Sequence, residues 1–298
     1  ADQKYAEAAK WFAKAPKTQL DETAYYQYIV AEFYSGNAKN ALEVARHGLQ
    51  KYAGSEYLSR LAVMAAVDQN QFPEALTYSE NVMRGKEQKN YNDYYYYGQA
   101  LAGNDKFQEA INAYNKCLEL KPGEVDPLSK LSAAYAGLGD GDKALDFQRQ
   151  YLEKGTNITS TDWADFAGIY IKMGDQVDSL DHAKAVGYYT QAMDVYEKMT
   201  EKFPTLKDWC WVAEASVALG KLKDLDKVRD LYTKVAEYEE AKADKSDANT
   251  KNYLSAAYYF LGYYYAGKND AETSKSYFEK LIQIDPENAE AKKALGLE

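Results

Sequence analysis

The stretch "LSAAYYFLGYYYAGKNDAETSKSYFEKLIQIDP", residues 254–286, holds an aromatic segment around a glycine, a polar turn, an amphipathic segment and a closing proline. The same order recurs in "NDYYYYGQALAGNDKFQEAINAYNKCLELKP", residues 92–122. Apolar residues spaced three and four apart are typical of amphipathic α-helices, and a proline disfavours continuation of a helix because it lacks a backbone N–H. Each stretch therefore predicts a pair of helices joined by a short turn.

The spacing of these segments resembles the tetratricopeptide repeat (TPR) family, whose 34-residue unit consists of two antiparallel helices. When the proline of each stretch is placed at position 32, the glycine and the proline of the family signature match in identity, and most other positions match in kind. The signature positions are Tyr258, Leu261, Gly262, Tyr265, Ser274, Phe278, Leu281 and Pro286 in 255–288, and Tyr94, Tyr97, Gly98, Leu101, Ala110, Tyr114, Cys117 and Pro122 in 91–124.

The same period continues on both sides of these two repeats. The resemblance implies an all-α fold in which residues 1–298 form a single α-solenoid, a right-handed superhelix of antiparallel helix pairs whose first helices line the concave side. A first helix that pairs with the lone helix at 5–17 is expected upstream of residue 1. The further predicted elements are repeats at 22–55, 56–89, 125–158, 160–204 and 206–253, a lone second helix at 5–17 and a capping helix at 289–298.

Composition limits the class of protein. The chain has 298 residues and a net charge of −10, which argues against nucleic-acid binding because phosphates require a basic face. No apolar run approaches the length of a membrane span, and any signal peptide is expected to have been removed or to lie outside this sequence. The 46 Asp and Glu residues are expected mostly on the solvated outer faces of second helices, beside Lys.

The sequence shows no catalytic constellation. His47 and His182 fall in different repeats, and neither has a metal ligand at a suitable spacing. The run "GLGDGDKA" (137–144) is expected to form the turn within a repeat, because no β-strand precedes it as a dinucleotide-binding loop requires. Cys117 and Cys210 lie three repeats apart and are expected to be free thiols. We therefore predict no catalytic residue, no metal and no cofactor, and a protein that is not an enzyme.

Ligands of the TPR family usually lie in the concave groove, against positions 2, 5, 9 and 12 of the first helices. Chaperone-tail binders of this family clamp a carboxylate with Lys at position 5 and Asn at position 9. The pairs at these positions here include Arg60 with Met64, and none is a Lys/Asn pair, so we expect no such clamp. The candidate groove residues are Tyr26, Phe33, Arg60, Tyr95, Gln99, Tyr259 and Tyr263.

Tyrosine suits these positions because it combines a large apolar ring with a polar tip. The alternative that each tyrosine packs on a neighbouring helix stays open. Within the run Tyr94–Tyr97, steps of 100° per residue place Tyr94 and Tyr97 towards the core and Tyr95 towards the groove. Tyr96 is expected to point away from the core, on the far flank of the groove, and Gly98 is expected where the partner helix comes close.

The predicted function is a non-enzymatic protein–protein interaction scaffold that binds a peptide or a partner protein in the concave groove. The alternative is an extracytoplasmic carbohydrate-binding or uptake accessory protein, because tyrosine-rich TPR chains with lengthened late repeats resemble TPR proteins of the Bacteroidota. That resemblance favours the periplasm or an outer-membrane association over the cytoplasm. A third option is an enzyme whose catalytic domain lies upstream of residue 1. The insertions at 174–189 and 241–252 either carry specificity or lengthen a helix pair.

Overall fold

A computed structural model describes residues 2–242 and 247–297, and within these ranges the regular secondary structure is entirely helical. Two compact units are present, residues 1–155 and residues 156–298. The first unit contains α1 (Asp2–Phe12), α2 (Glu22–Tyr34), α3 (Ala38–Lys51), α4 (Glu56–Asp68), α5 (Phe72–Arg84), α6 (Tyr91–Ala102), α7 (Phe107–Leu120), α8 (Asp126–Leu138) and α9 (Gly141–Lys154). The second contains α10 (Ser160–Val177), α11 (His182–Lys202), α12 (Lys207–Val217), α13 (Leu225–Glu240), α14 (Ala248–Gly267), α15 (Ala271–Ile284) and α16 (Ala289–Leu295).

Local sequence explains where these helices begin and end. Asn90 and Thr159 form capping boxes with Asp93 and Asp162, so each pair satisfies two backbone N–H groups at the start of a helix. Gly139 ends α8 in the left-handed conformation, at φ 81°, which glycine adopts at no steric cost. Within the glycine run at 137–144, Gly139 and Asp140 connect α8 to α9, so the predicted turn between two helices is confirmed.

Each helix packs against its neighbours in the chain within a unit, and the first helix α4 also contacts the first helices α2 and α6 on either side of it. This is the stacking of an α-solenoid, in which every pair of helices completes the core of the next. The handedness of the stack and the assignment of the whole chain to one solenoid of seven repeats stay predictions.

Two predicted helices have different bounds in the structure. The helix predicted over 5–17 occupies Asp2–Phe12, since Pro16 disfavours a helical conformation in the residue before it and a short 3-10 turn follows at Lys17–Gln19. The capping helix predicted over 289–298 occupies Ala289–Leu295 and ends at Gly296 in the left-handed conformation.

Glycines mark the places where two helices of a pair approach most closely. A Cβ atom on Gly98 would lie 2.5 Å from Cε1 of Tyr114, whose ring is buried. A Cβ atom on Gly262 would lie 2.8 Å from Cζ of Phe278 in the same way. The structure thus confirms the close approach that the signature glycine predicts.

The insertion at 174–189 is absorbed mainly by longer helices. Helix α10 has 18 residues and α11 has 21, compared with 14 in α7, and residues 178–181 connect them. In the insertion at 241–252, residues 243–246 lie outside the described residues, and α14 begins at Ala248. The first insertion therefore lengthens a helix pair and adds no separate domain.

The two cysteines are free thiols, as the sequence predicts. Cys117 and Cys210 are buried free thiols, and burial raises the pKa of Cys210 to about 11 and that of Cys117 to about 12. His47 and His182 are exposed. Residues 2–242 and 247–297 contain no group of three or more His, Cys, Asp or Glu side chains arranged to hold a metal ion.

Candidate functional site

A cavity of about 340 Å³ opens in the first unit where the first helices α2, α4 and α6 lie side by side. Its walls carry tyrosine rings, aliphatic side chains, two asparagines and one ion pair. The lining residues are Tyr26, Tyr34, Tyr57, Arg60, Leu61, Val63, Met64, Ser79, Val82, Asn90, Asn92, Asp93 and Tyr96.

Three of the tyrosines that line this cavity have large exposed surfaces. Tyr26 is 41% exposed, Tyr34 is 49% exposed and Tyr57 is 52% exposed. The Tyr34 ring is held on one side by Tyr5, with ring centroids 5.4 Å apart, and meets Phe33 edge-on at 5.5 Å. Partly exposed tyrosine rings of α2 and α4 thus line one opening.

Arg60 and Asp93 form a bidentate ion pair in the wall of the cavity. Nε of Arg60 lies 2.8 Å from Oδ1 of Asp93 and Nη2 lies 3.1 Å from Oδ2. Arg60 also donates to the carbonyl of Gln88 at 3.2 Å, and Asp93 Oδ2 accepts from the backbone N–H of Asn90 at 2.9 Å. Because each charge is neutralised by the other, this wall offers a ligand no free cation.

The structure brings together some of the predicted groove residues and separates others. Tyr26 and Arg60 line the cavity, whereas Phe33, Tyr95 and Gln99 do not. Phe33 is half-buried and packs against the core of the first unit. Gln99 is also half-buried.

Tyr95 is enclosed by other aromatic rings. Its ring stacks on Tyr91 at 5.7 Å and meets Tyr114 edge-on at 6.3 Å. Burial raises the pKa of the Tyr95 phenol, and Asp126 adds a smaller electrostatic effect in the same direction. The ring therefore packs against α7 as well as lying on a first helix.

The prediction for Tyr96 was wrong. This side chain packs against the core of the first unit and lines the cavity, although the helical angle was expected to point it away from the core. Burial raises the pKa of its phenol, followed by the effect of Tyr34. The reason is that α6 contacts α4 as well as α7, so the flank of the helix is covered by the preceding repeat.

Sequence reasoning missed Tyr34, Tyr57 and Asn92 as lining residues. Tyr57 and Asn92 occupy position 2 of their repeats, which the TPR resemblance marks as a contact position. Tyr34 lies at position 13 of its repeat, one residue beyond the positions that the family uses. A scan of position 2 would have found two of the three.

The remaining predicted groove residues lie in the second unit. The rings of Tyr259 and Tyr263 are 4.9 Å apart, and Tyr263 also meets Phe278 edge-on at 5.1 Å. The Tyr263 hydroxyl donates to Oε2 of Glu290 at 2.8 Å, and this bond raises the pKa of Tyr263 to about 12. Tyr263 therefore links α16 to α14 through this hydrogen bond. Tyr259, 42% exposed, is the more available of the two tyrosines for contact with a ligand.

A second cavity of about 340 Å³ lies in the second unit between α10 and α12. It is lined by Ser160, Thr161, Ala164, Leu206 and Trp209. Ala164 on the first helix α10 therefore lines an open space.

No helix within residues 2–242 and 247–297 is both long and apolar enough to cross a membrane.

Two segments of the chain, residues 255–288 and residues 91–124, match sequence models described as tetratricopeptide repeat. The fold is similar to the C-terminal part of a TPR repeat-containing protein from Cytophaga hutchinsonii, with a TM-score of 0.65 and 17% identity over 91% of this chain and 99% of that chain. It is also similar to a tetratricopeptide repeat protein from Parabacteroides merdae, with a TM-score of 0.52 and 15% identity over 93% of this chain and 98% of that one. A search of curated proteins finds no significant match. The resemblance to bacterial TPR proteins and the α-solenoid fold are thereby confirmed.

Proposed function

We propose that this TPR-type chain is a non-enzymatic scaffold that binds an extended segment of a partner protein at the tyrosine-rimmed cavity of its first unit. The observation that carries the proposal is the convergence of Tyr26, Tyr34 and Tyr57, each about half exposed, on one opening between three first helices. Partly exposed tyrosines that surround a concave surface are typical of the residues that dominate protein recognition.

The walls of the cavity favour a particular chemistry in the bound segment. Arg60 is paired with Asp93, so no cation is free to bind a terminal carboxylate. The tyrosine rings and the aliphatic wall favour an apolar side chain, proline or aromatic, that enters from an extended backbone. Asn92, exposed beside the opening, offers an amide to the backbone of that segment. We therefore propose an internal stretch of a partner, with no requirement for a free C-terminus.

Selection from a random peptide library displayed on phage tests this proposal with the full chain as bait. Peptides that are recovered should share a proline or an aromatic residue and should bind equally well when their C-terminus is amidated. The double variant Tyr26→Ala/Tyr57→Ala should weaken their binding at least about tenfold, which corresponds to roughly 1.4 kcal/mol, because two exposed rings are removed without opening the core.

A matched control comes from a tyrosine on a second helix. Tyr188 is half-exposed on α11, outside the cavity lining, so Tyr188→Ala should leave binding of the selected peptides unchanged. Equal binding by the wild type and the Tyr26→Ala/Tyr57→Ala protein would show that the cavity is not the site. Tyr259→Ala is a separate variant that reports whether the aromatic pair of the second unit contributes.

The exposed rings and Asn92 also favour a second candidate function. Tyrosine faces with a neighbouring amide can bind a sugar ring by stacking and hydrogen bonding. A polysaccharide array probed with the full chain tests this function. Binding that depends on Tyr26 and Tyr57 would support carbohydrate capture, and the absence of binding to every polysaccharide on the array would rule out this second function.

A further inference from the structure

A pair of buried carboxyl groups joins α12 and α13 in the second unit. Glu239 is fully buried and Asp208 is 7% exposed. The ammonium group of Lys242 lies 2.6 Å from Oε1 of Glu239 and 3.1 Å from Oδ2 of Asp208. The other Asp208 oxygen accepts from the backbone N–H of Trp209 at 2.7 Å. Within residues 2–242 and 247–297, the two carboxyl groups therefore share one bridging ammonium group.

One oxygen of this cluster lacks a partner. Oε2 of Glu239 is buried and has no hydrogen-bond partner among the described residues. An unpaired buried carboxylate oxygen is costly, and two carboxylates that share one cation leave an uncompensated negative charge away from water. A proton removes both problems, because a protonated carboxyl group carries no charge and its O–H can donate to the neighbouring carboxylate.

Among the residues that the structure describes, the remaining groups that face the pair supply no positive charge. Cys210 on α12 and Tyr253 on α14 lie within electrostatic reach of Asp208. Thr250 on α14 brings its side chain beside the Glu239 carboxyl group. Burial raises the pKa of both the Cys210 thiol and the Tyr253 phenol, so each is neutral near pH 7.

We propose that Glu239 carries a proton near neutral pH and donates it in a hydrogen bond to Asp208, so that these two residues and Lys242 form a pH-sensitive latch between α12 and α13. No bond is made or broken covalently, and the one proton exchanges with solvent. The latch holds while one of the two carboxyl groups is protonated and opens when both are ionised.

The direction of the pH dependence follows from the surroundings of each group. Burial, followed by the neighbouring Asp208, raises the pKa of Glu239. Burial also acts to raise the pKa of Asp208, but hydrogen bonds with Glu239, Trp209 and Lys242 outweigh it and hold that pKa below its ordinary value. Above the ordinary pKa of a glutamate the folded state then binds one proton more than the unfolded chain, and stability is lost as the pH rises through the raised pKa of Glu239. The stability that Asp208 contributes is lost at acidic pH, as the pH falls through its lowered pKa.

Infrared spectroscopy of the full chain tests the proton directly. At pH 7 the wild type should show the carbonyl stretching band of a buried, protonated carboxyl group, and Glu239→Gln should lack it. The matched control is Glu237→Gln, which makes the same charge change at an exposed site on α13, and it should keep the band. Absence of any wild-type band that depends on Glu239 would overturn the proposal.

Urea unfolding between pH 5 and pH 8 supplies the second readout. The unfolding equilibrium constant of the wild type and of Glu237→Gln should rise with pH relative to that of Glu239→Gln, by up to about tenfold per pH unit for one proton. Parallel profiles for the wild type and Glu239→Gln would refute the latch. Asp208→Asn gives an independent test, because it leaves one carboxylate for one ammonium group, so Glu239 should ionise and the infrared band should disappear.

Discussion

Two glycines of α10 provide a test of helix packing, because replacing each of them by alanine should change the stability of the protein in opposite directions. Gly168 and Gly174 both lie inside Ser160–Val177, so replacing either by alanine changes the intrinsic helix preference in the same direction. A Cβ atom on Gly168 would meet nothing within 4 Å. A Cβ atom on Gly174 would lie 2.8 Å from both Cδ1 and Cζ of Tyr189 and closer still to Cε1.

The expected magnitudes follow from these surroundings. Gly168→Ala should stabilise the second unit by about 0.5–1 kcal/mol, because alanine loses less backbone entropy in a helix than glycine does. Gly174→Ala gains the same stabilisation from helix preference. Its added methyl group overpacks the core against the Tyr189 ring, which costs about 1–3 kcal/mol. The Tyr189 ring cannot swing aside, since it is fully buried and its hydroxyl donates to Asp175 at 2.7 Å. The two variants should therefore differ by about 1–3 kcal/mol, with Gly174→Ala the less stable.

Urea unfolding followed by tryptophan fluorescence is a suitable assay, because three of the four tryptophans, Trp163, Trp209 and Trp211, lie in the second unit. Circular dichroism on the same samples reports whether helix content is lost in the same transition. If Gly174→Ala proves as stabilising as Gly168→Ala, then α10 and α11 do not approach as closely as the structure shows, and the close contact between Gly174 and Tyr189 is refuted.

Three further results are expected. Asp93→Asn should destabilise the first unit by about 1–3 kcal/mol in urea unfolding, because it leaves the largely buried Arg60 guanidinium without its carboxylate; an unchanged midpoint would contradict this. Cys117 and Cys210 should not react with a thiol reagent at pH 8 until urea unfolds the chain, since burial holds the pKa of each thiol well above that pH; rapid labelling of the native protein would be the opposite result. Tyr263→Phe should speed amide exchange in α16 relative to α15 through loss of the hydrogen bond that fastens α16, and equal exchange in wild type and variant would show that this bond does not hold the helix.

The helix pairs could be predicted from the sequence because their signals are local. Gly98 and Gly262 mark close approaches between the two helices of a pair, and Gly139 marks a left-handed turn. Each of these properties depends on one or two residues and on helical geometry. The TPR resemblance added the order of the pairs, which no single repeat could supply.

The lining of the cavity was harder to predict because it depends on contacts between repeats. An angle of 100° per residue fixes the direction of Tyr95 and Tyr96 around α6, but it does not say which neighbouring helix covers each direction. The structure packs Tyr95 against Tyr114 of α7 and Tyr96 against the core of the first unit, so Tyr96 does not point away from the core as its helical angle alone predicted. The Arg60–Asp93 pair likewise joins successive repeats, and a search for opposite charges about one repeat apart could have found it.

The buried carboxyl groups of the second unit differ most from what the sequence predicted. Acidic residues of second helices were expected on solvated faces, and Glu239 is fully buried on α13. Helix α13 shows ordinary amphipathic spacing, so the pattern of charges alone gave no sign that one glutamate faces inward. Only the position of Asp208 and Lys242 beside it reveals the cluster.

Site-specific photo-cross-linking tests partner binding at the tyrosine-rimmed cavity most directly. Benzoylphenylalanine in place of Tyr57 should cross-link to a peptide selected from the phage library, and excess unlabelled peptide should suppress the product. The same group in place of Tyr188 should give none. Cross-linking from position 188 but not from position 57 would contradict the assignment of the cavity as the binding site.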